Sequence, residues 1–269
     1  MLTDILLGQY FPGDSFVHRL DPRTKIIVVM LFISSIFLAE TFLAYGILTL
    51  FTCVVIGIAV IPAGMVLRSI KPLWIIVLLT LGIHVFTTPG NVVYSWKFIT
   101  ITKEGLTQGS LMSMRLILLI VMSSLLTFTT SPIALTDGIE RLLKPFKKIG
   151  VPAHELAMMM TIALRFIPTL LEETDRIMKA QMARGADFSS GNIVRRARNM
   201  IPLLVPLFIS AFRRADELAI AMEARCYRGG DSRTRMKELK MCAIDGVACA
   251  VVVMLIALLV WMKLGVTRF

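Results

Sequence analysis

The chain has 269 residues, 56% of them hydrophobic and only 17% charged, with a mean hydropathy of +0.77. A soluble globular domain carries roughly 25% charged residues, so this composition excludes a single water-soluble core and indicates an integral membrane protein. The net charge of +11 lies in gaps between apolar runs, the pattern of cytoplasmic loops rather than of a nucleic-acid binder.

Residues 1–23 are polar and aromatic and do not read as a cleaved signal. Asp21 before Pro22 predicts a helix start, aspartate capping and proline taking the first helical position. Apolar runs then predict spanning helices over Ile26–Ala39 and Leu43–Ile61, the second ended by Pro62, and a third from about Pro72 to Thr88. His84 near the end of the third run reads as an interfacial residue or as an intramembrane proton carrier.

Alternation over residues 89–105 predicts a short hairpin or flap, with Tyr94 and Trp96 at headgroup level. A fourth span covers about Leu106–Phe128 and contains Arg115, which must face protein rather than lipid. From 131 to 240 three amphipathic segments follow, about Pro132–Lys148, Pro152–Arg184 and Ile193–Arg225, with bends expected at Pro168, Pro202 and Pro206. A last span runs from about Met241 to Leu264. The expected fold is therefore an all-α integral membrane protein: a four-span membrane domain over 1–130, a cytoplasmic coupling domain of three amphipathic helices over 131–240, and a fifth span in 241–269. The lysine and arginine distribution puts the N-terminus and the basic segment in the cytoplasm and the C-terminus outside.

The sequence has no Gly-x-x-x-x-Gly-Lys-Ser/Thr phosphate loop, no His-Glu-x-x-His pair and no Gly-x-Ser-x-Gly elbow. Cys53, Cys226, Cys242 and Cys249 have neither zinc nor disulfide spacing and read as reduced. No metal or other cofactor is expected. Glu172, Glu173 and Asp175 raise the alternative of a lipid- or prenyl-modifying enzyme, although Arg176 and Lys179 stand at the spacing of ordinary helix-surface pairs. A free-standing secondary carrier would need inverted repeats, which are not visible. Met158, Met159, Met160, Met178, Met182 and Met222 suit either core filling or helix surfaces that change partners.

The most informative pattern is a weak duplication. Ala183-Arg184-Gly185 returns 41 positions later as Ala224-Arg225-Cys226, and Asp175 and Ala180 match Asp216 and Ala221 at the same offset. Arginine in a last helical turn followed by glycine is ordinary helix capping. Two such ends in one basic segment point to two similar receptors, with alanine permitting close approach and guanidinium offering a planar fork.

The tripeptides, Gly8-Gln9-Tyr10-Phe11-Pro12-Gly13-Asp14-Ser15, His18-Arg19-Leu20-Asp21-Pro22-Arg23-Thr24-Lys25 and Glu223-Ala224-Arg225-Cys226-Tyr227-Arg228-Gly229 resemble the transmembrane T component of energy-coupling factor (ECF) transporters over nearly the whole chain. The resemblance implies an L-shaped, non-catalytic subunit of an ABC-type importer in the bacterial cell membrane, linking ATP hydrolysis by partners to vitamin or micronutrient uptake. It also implies that Ala183, Arg184 and Gly185 dock one ATPase subunit, that Ala224, Arg225 and Cys226 dock a second, and that the coupling helices hold a membrane-embedded, substrate-binding S component. No nucleic-acid partner is implied. Cys226 departs from the family's glycine, so the second helix is expected to end differently or to continue to Gly229-Gly230.

Overall fold

The computed structural model describes residues 10–96, 99–186, 188, 192–227, 229, 239 and 241–266. They fall into two compact units, one of residues 8–138 with 239–269 and one centred on residues 139–238. The first unit contains α1 (Phe16–Arg19), α2 (Pro22–Leu38), α3 (Phe42–Ala59), α4 (Ala63–Ile70), α5 (Trp74–Thr87), the hairpin β1 (Val92–Trp96) and β2 (Ile99–Thr102), α6 (Lys103–Thr129) and, after the second unit, α10 (Ala243–Val266). Helix α7 (Pro132–Leu143) spans the division, and the second unit is built on α8 (Ala153–Ala183) and α9 (Ile193–Ala224).

The cap of α2 lies where the sequence places it, and the structure adds one at α3. Asp21 accepts a hydrogen bond from the Arg23 amide at 2.9 Å with Pro22 at the first helical position, and Thr41 caps α3 through the Ala44 amide at 3.3 Å. Helix α3 ends on Val60 in a left-handed conformation (φ 54°), and Pro62 bars its continuation. The connector with Arg68 and Lys71 is itself helical, joining α4 to α5 through a 3-10 turn at Pro72.

Helix α6 is the axis of the first unit, packing against α2, α3, α4 and α5, while α10 packs along α2. Its core is Phe32 and Ile36 of α2, Tyr45 and Leu48 of α3, Leu118, Val121, Met122 and Leu125 of α6, and Leu259 of α10. The outer faces are apolar and open, as at Leu50, Ile75, Leu79 and Met254, which in water would be an aggregation hazard and in a bilayer is the lipid-facing surface.

Most polar groups inside this unit are paired, although Asp21 Oδ2, Arg23 Nε and Thr130 Oγ1 are buried without a hydrogen-bond partner. Arg115 Nε donates to the Tyr45 hydroxyl at 2.9 Å and its guanidinium lies 5.4 Å from the Phe37 ring centroid, so the arginine expected to face protein does so. Lys25 Nζ donates to the carbonyls of Thr129 and His18 at 2.8 and 3.0 Å. Asp245 accepts from the Asp21 amide (2.9 Å) and the Cys242 amide (2.8 Å), while Lys263 reaches Glu40 at 2.6 Å, so α10 is fastened to α2 or its turn at both ends. His84 lies in the last turn of α5.

The expected hairpin forms, pairing Tyr94 with Ile101 and Trp96 with Ile99 in antiparallel register. The side chains of Tyr94 and Trp96 lie outside the described residues. Thr102 starts α6 by accepting from the Gly105 amide at 3.0 Å and donating to the Thr88 carbonyl at 2.8 Å, which draws α6 against the end of α5.

Five stretches among the described helices are long and apolar enough to cross a membrane: Phe42–Ala59, Ala63–Thr87, Lys103–Thr129, Ala153–Ala183 and Ala243–Leu264. Two differ from the sequence-based expectation. Helix α2 has 17 residues, so at 1.5 Å per residue it reaches about 25 Å and stands at the short end of what spans a bilayer. Helix α8 enters the set because its first half, up to Leu171, is mostly apolar, with Glu155 and Arg165 its only acidic or strongly basic residues; its charges become dense from Glu172, and averaging over the whole amphipathic segment conceals this.

Glycines set the α5–α6 approach. A methyl group on Gly105 would lie 2.7 Å from Thr102 Oγ1 and 2.8 Å from the His84 carbonyl, whereas one on Gly82 would meet nothing within 4 Å. Gly105→Ala is therefore expected to destabilise the protein by about 1–3 kcal/mol through overpacking, read as a lower unfolding midpoint in detergent. Gly82→Ala should cause no loss, since an open helical glycine costs about 1 kcal/mol relative to alanine.

Candidate functional site

The candidate site is the pair of C-terminal helix ends in the second unit. Helix α8 ends at Ala183, Arg184 takes φ −88° and ψ 6°, and Gly185 turns left-handed at φ +88°. The Gly185 amide donates to the Met182 carbonyl and the Ala186 amide to the Gln181 carbonyl, each at 3.0 Å. These are the two bonds of the Schellman ending, in which a left-handed residue lets the next amides satisfy the last free carbonyls.

Helix α9 ends the same way. It stops at Ala224, Arg225 takes φ −90° and ψ 13°, and Cys226 adopts φ +56°. The Cys226 amide donates to Glu223 at 2.8 Å and the Tyr227 amide to Met222 at 3.1 Å. This corrects the expectation that Cys226 makes the second helix end differently or run on to Gly229-Gly230. Two capping hydrogen bonds outweigh the steric penalty of a side chain in the left-handed region, which is roughly 1–2 kcal/mol for one residue. All six residues of the two tripeptides are exposed.

The tips are related through a contact that the sequence reading missed. Arg214 Nη2 of α9 donates to Glu173 Oε2 of α8 at 2.7 Å. Arg184 lies 11 residues beyond Glu173, and Arg225 lies 11 beyond Arg214, so the helices are tied at equivalent positions of the duplication. Each arm from tie to tip is about 16 Å long. With their side chains 24% and 37% exposed, the pair contributes at most about 1 kcal/mol, so it sets register while apolar packing holds the helices. The offset of 41 contained the signal, since it maps Glu173 onto a residue of opposite charge.

Beyond the second tip, the Tyr227 hydroxyl lies 3.4 Å from His154 Nε2 in the first turn of α8, and His154 Nδ1 lies 3.1 Å from Glu140 Oε1 on α7. The end of α9 thus comes back to the beginning of α8, and the arms run antiparallel.

Of the acidic residues behind the enzyme alternative, Glu172 and Glu173 line one shallow cavity beside Arg176 and Arg214, and Asp175 stands apart from it. Glu172 is exposed, Glu173 is held by Arg214, and Asp175 pairs with Lys179 one turn on. Among the described residues, no three His, Cys, Asp or Glu side chains form a group able to hold a metal ion.

These features define a polytopic helical membrane protein carrying an amphipathic helix pair with two matching arginine tips. Residues 13–236 match the CbiQ family, described as cobalt transport protein. The chain is 66% identical over 266 residues to the energy-coupling factor transporter transmembrane protein EcfT of Acidaminococcus fermentans, covering 99% of both chains. It is 56% identical over 263 residues to EcfT of Clostridium kluyveri (96% of this chain, 97% of the relative) and 48% identical over 264 residues to EcfT of Bacillus subtilis (98% and 100%). The chain belongs to the CbiQ family and, within it, to the transmembrane components of energy-coupling factor transporters.

The left-handed Cys226 gives a direct test of the cap. Cys226→Gly is expected to slow amide hydrogen exchange at 226 and 227 by about tenfold, corresponding to the roughly 1–2 kcal/mol of relieved strain, while Gly185→Ala should speed exchange at 185 and 186 by a similar factor.

Proposed function

We propose that this subunit couples ATP hydrolysis by two partner ATPase subunits to reorientation of a membrane-embedded S component that carries a vitamin or similar micronutrient. The observation that carries the reading is the pair of identically capped, exposed arginine ends set equally far from one tie. A guanidinium at a helix end, preceded by alanine and followed by a tight left-handed turn, can enter a groove and meet carboxylates or carbonyls in a planar fork. Because the arms are antiparallel and about 16 Å each, the tips point apart by up to roughly 35 Å, including the usual 8–10 Å between packed helices. One rigid helix pair thereby offers two separate docking points, and relative motion of two bound ATPases would turn the pair as a lever.

The S component would be held by the apolar faces of the same helices. Ile201, Leu204, Val205, Phe208, Ile209 and Phe212 form a helical stripe along α9, all exposed, and Met159 and Met160 of α8 are exposed as well. Methionine and other apolar side chains on such a face can repack as a partner shifts. In this reading the N-terminus and the α7–α9 segment face the cytoplasm, as the positive charge distribution supports, and the end of α10 lies outside. The chain itself performs no chemistry, and the ATPases supply the hydrolysis.

The test is the double variant Arg184→Glu/Arg225→Glu. It is expected to abolish co-purification of the ATPase subunits and ATP-dependent uptake by at least about tenfold while the subunit still inserts, and each single variant should lose less. Each lost charge-assisted fork contributes about 1.5–3 kcal/mol. Normal assembly and uptake in the double variant would remove the docking reading.

A further inference from the structure

The repeat that makes the two tips alike stops one residue past the caps. At the same offset of 41, Gly185 maps onto Cys226 but Ala186 maps onto Tyr227, so a phenol stands where the first tip has a methyl group. The Tyr227 hydroxyl lies 3.4 Å from His154 Nε2 in the first turn of α8, and His154 Nδ1 lies 3.1 Å from Glu140 Oε1 on α7. All three residues belong to the second unit. Nothing comparable holds the first tip: among the described residues, the last position of α8 with a side-chain bond to another helix is Glu173, 11 residues before Arg184.

Imidazole can join these partners in either charge state. With Nδ1–H donating to the Glu140 carboxylate, the neutral ring accepts the Tyr227 proton at Nε2, and the charged ring donates from Nε2 to the phenol oxygen. His154 and Glu140 are mostly shielded, with side chains 30% and 15% exposed, so the ring is held between α7 and the residue just past the α9 cap. At 3.4 Å the phenol contact is long for a hydrogen bond, so it contributes aim rather than stability. The Tyr227 amide itself closes α9 by donating to the Met222 carbonyl at 3.1 Å. A hold on the Tyr227 ring is therefore a hold on the tip two residues before it.

We propose that Tyr227 and His154 are positioning residues that pin the second tip to α7 and the start of α8, while the first tip stays free at the end of its arm of about 16 Å. The two docking points then answer a bound ATPase differently. A push at Ala224-Arg225-Cys226 passes directly into α7 and the start of α8, whereas a push at Ala183-Arg184-Gly185 first moves the arm. The second tip is the pivot of the lever and the first its moving end. This role rests on ATPase docking at the tips; the pinning itself does not.

Amide hydrogen exchange in the full chain in detergent tests the pinning. Tyr227→Phe and His154→Phe should each speed exchange at 226 and 227 by about two- to tenfold, the span of one net hydrogen bond, and leave 185 and 186 unchanged. The double variant should be no faster than either single one, because both remove the same contact. No change at 226 and 227, an equal change at both tips, or additive effects would overturn the proposal. In the assembled transporter, Tyr227→Phe should retain both ATPases yet lower uptake per ATP hydrolysed by a similar factor. Loss of either ATPase in that variant, or unchanged uptake per ATP, would overturn the pivot role. Failure of the docking reading would show instead as normal assembly of the Arg184→Glu/Arg225→Glu variant, which leaves the exchange result standing.

Discussion

In a bilayer every polar group must find its partner within the protein, and the membrane unit depends on that constraint. It explains why Arg115 lies against Tyr45 and Phe37, and why Lys25 gives its protons to the carbonyls of Thr129 and His18. It also explains why hydroxyls such as Thr49, Thr52, Thr80 and Thr129 bond back to the carbonyl one turn earlier in their own helices. The N-terminal motif belongs to the same system. Asp21, Lys25, Asp245 and the end of α6 converge at one end of the unit, so the motif that resembles a family signature is a polar lock between three helices.

The second unit solves a different problem. Its two long helices leave much of their apolar surface open, and they contain prolines at 168, 202 and 206 without losing helical assignment. Burial among the described residues leaves that surface open. The Glu173–Arg214 tie adds little stability, yet it fixes which residues oppose one another. Because it joins equivalent positions of a duplicated segment, it makes the two tips equivalent as well. Sequence duplication, helix register and paired exposed tips are one fact seen at three levels.

Local features were legible in the sequence. Asp21-Pro22 predicts the start of α2, Gly185 predicts the end of α8, and hydrophobic runs locate α3, α6 and α10 within a few residues. Features that depend on tertiary contact were not. Nothing near Arg115 indicates Tyr45, 70 positions away, and nothing near Arg214 indicates Glu173 except the repeat offset. The expectation for Cys226 failed because residue preference was weighed without the capping bonds that override it. The apolar half of α8 was concealed by averaging it with the charged half that follows.

The central claim is that each arginine tip contacts an ATPase. A photo-crosslinking side chain placed at Ala183, and separately at Ala224, in the assembled transporter addresses it most directly. The account predicts a covalent adduct with an ATPase subunit from both positions. Adducts from only one position, or with lipid alone, would contradict it.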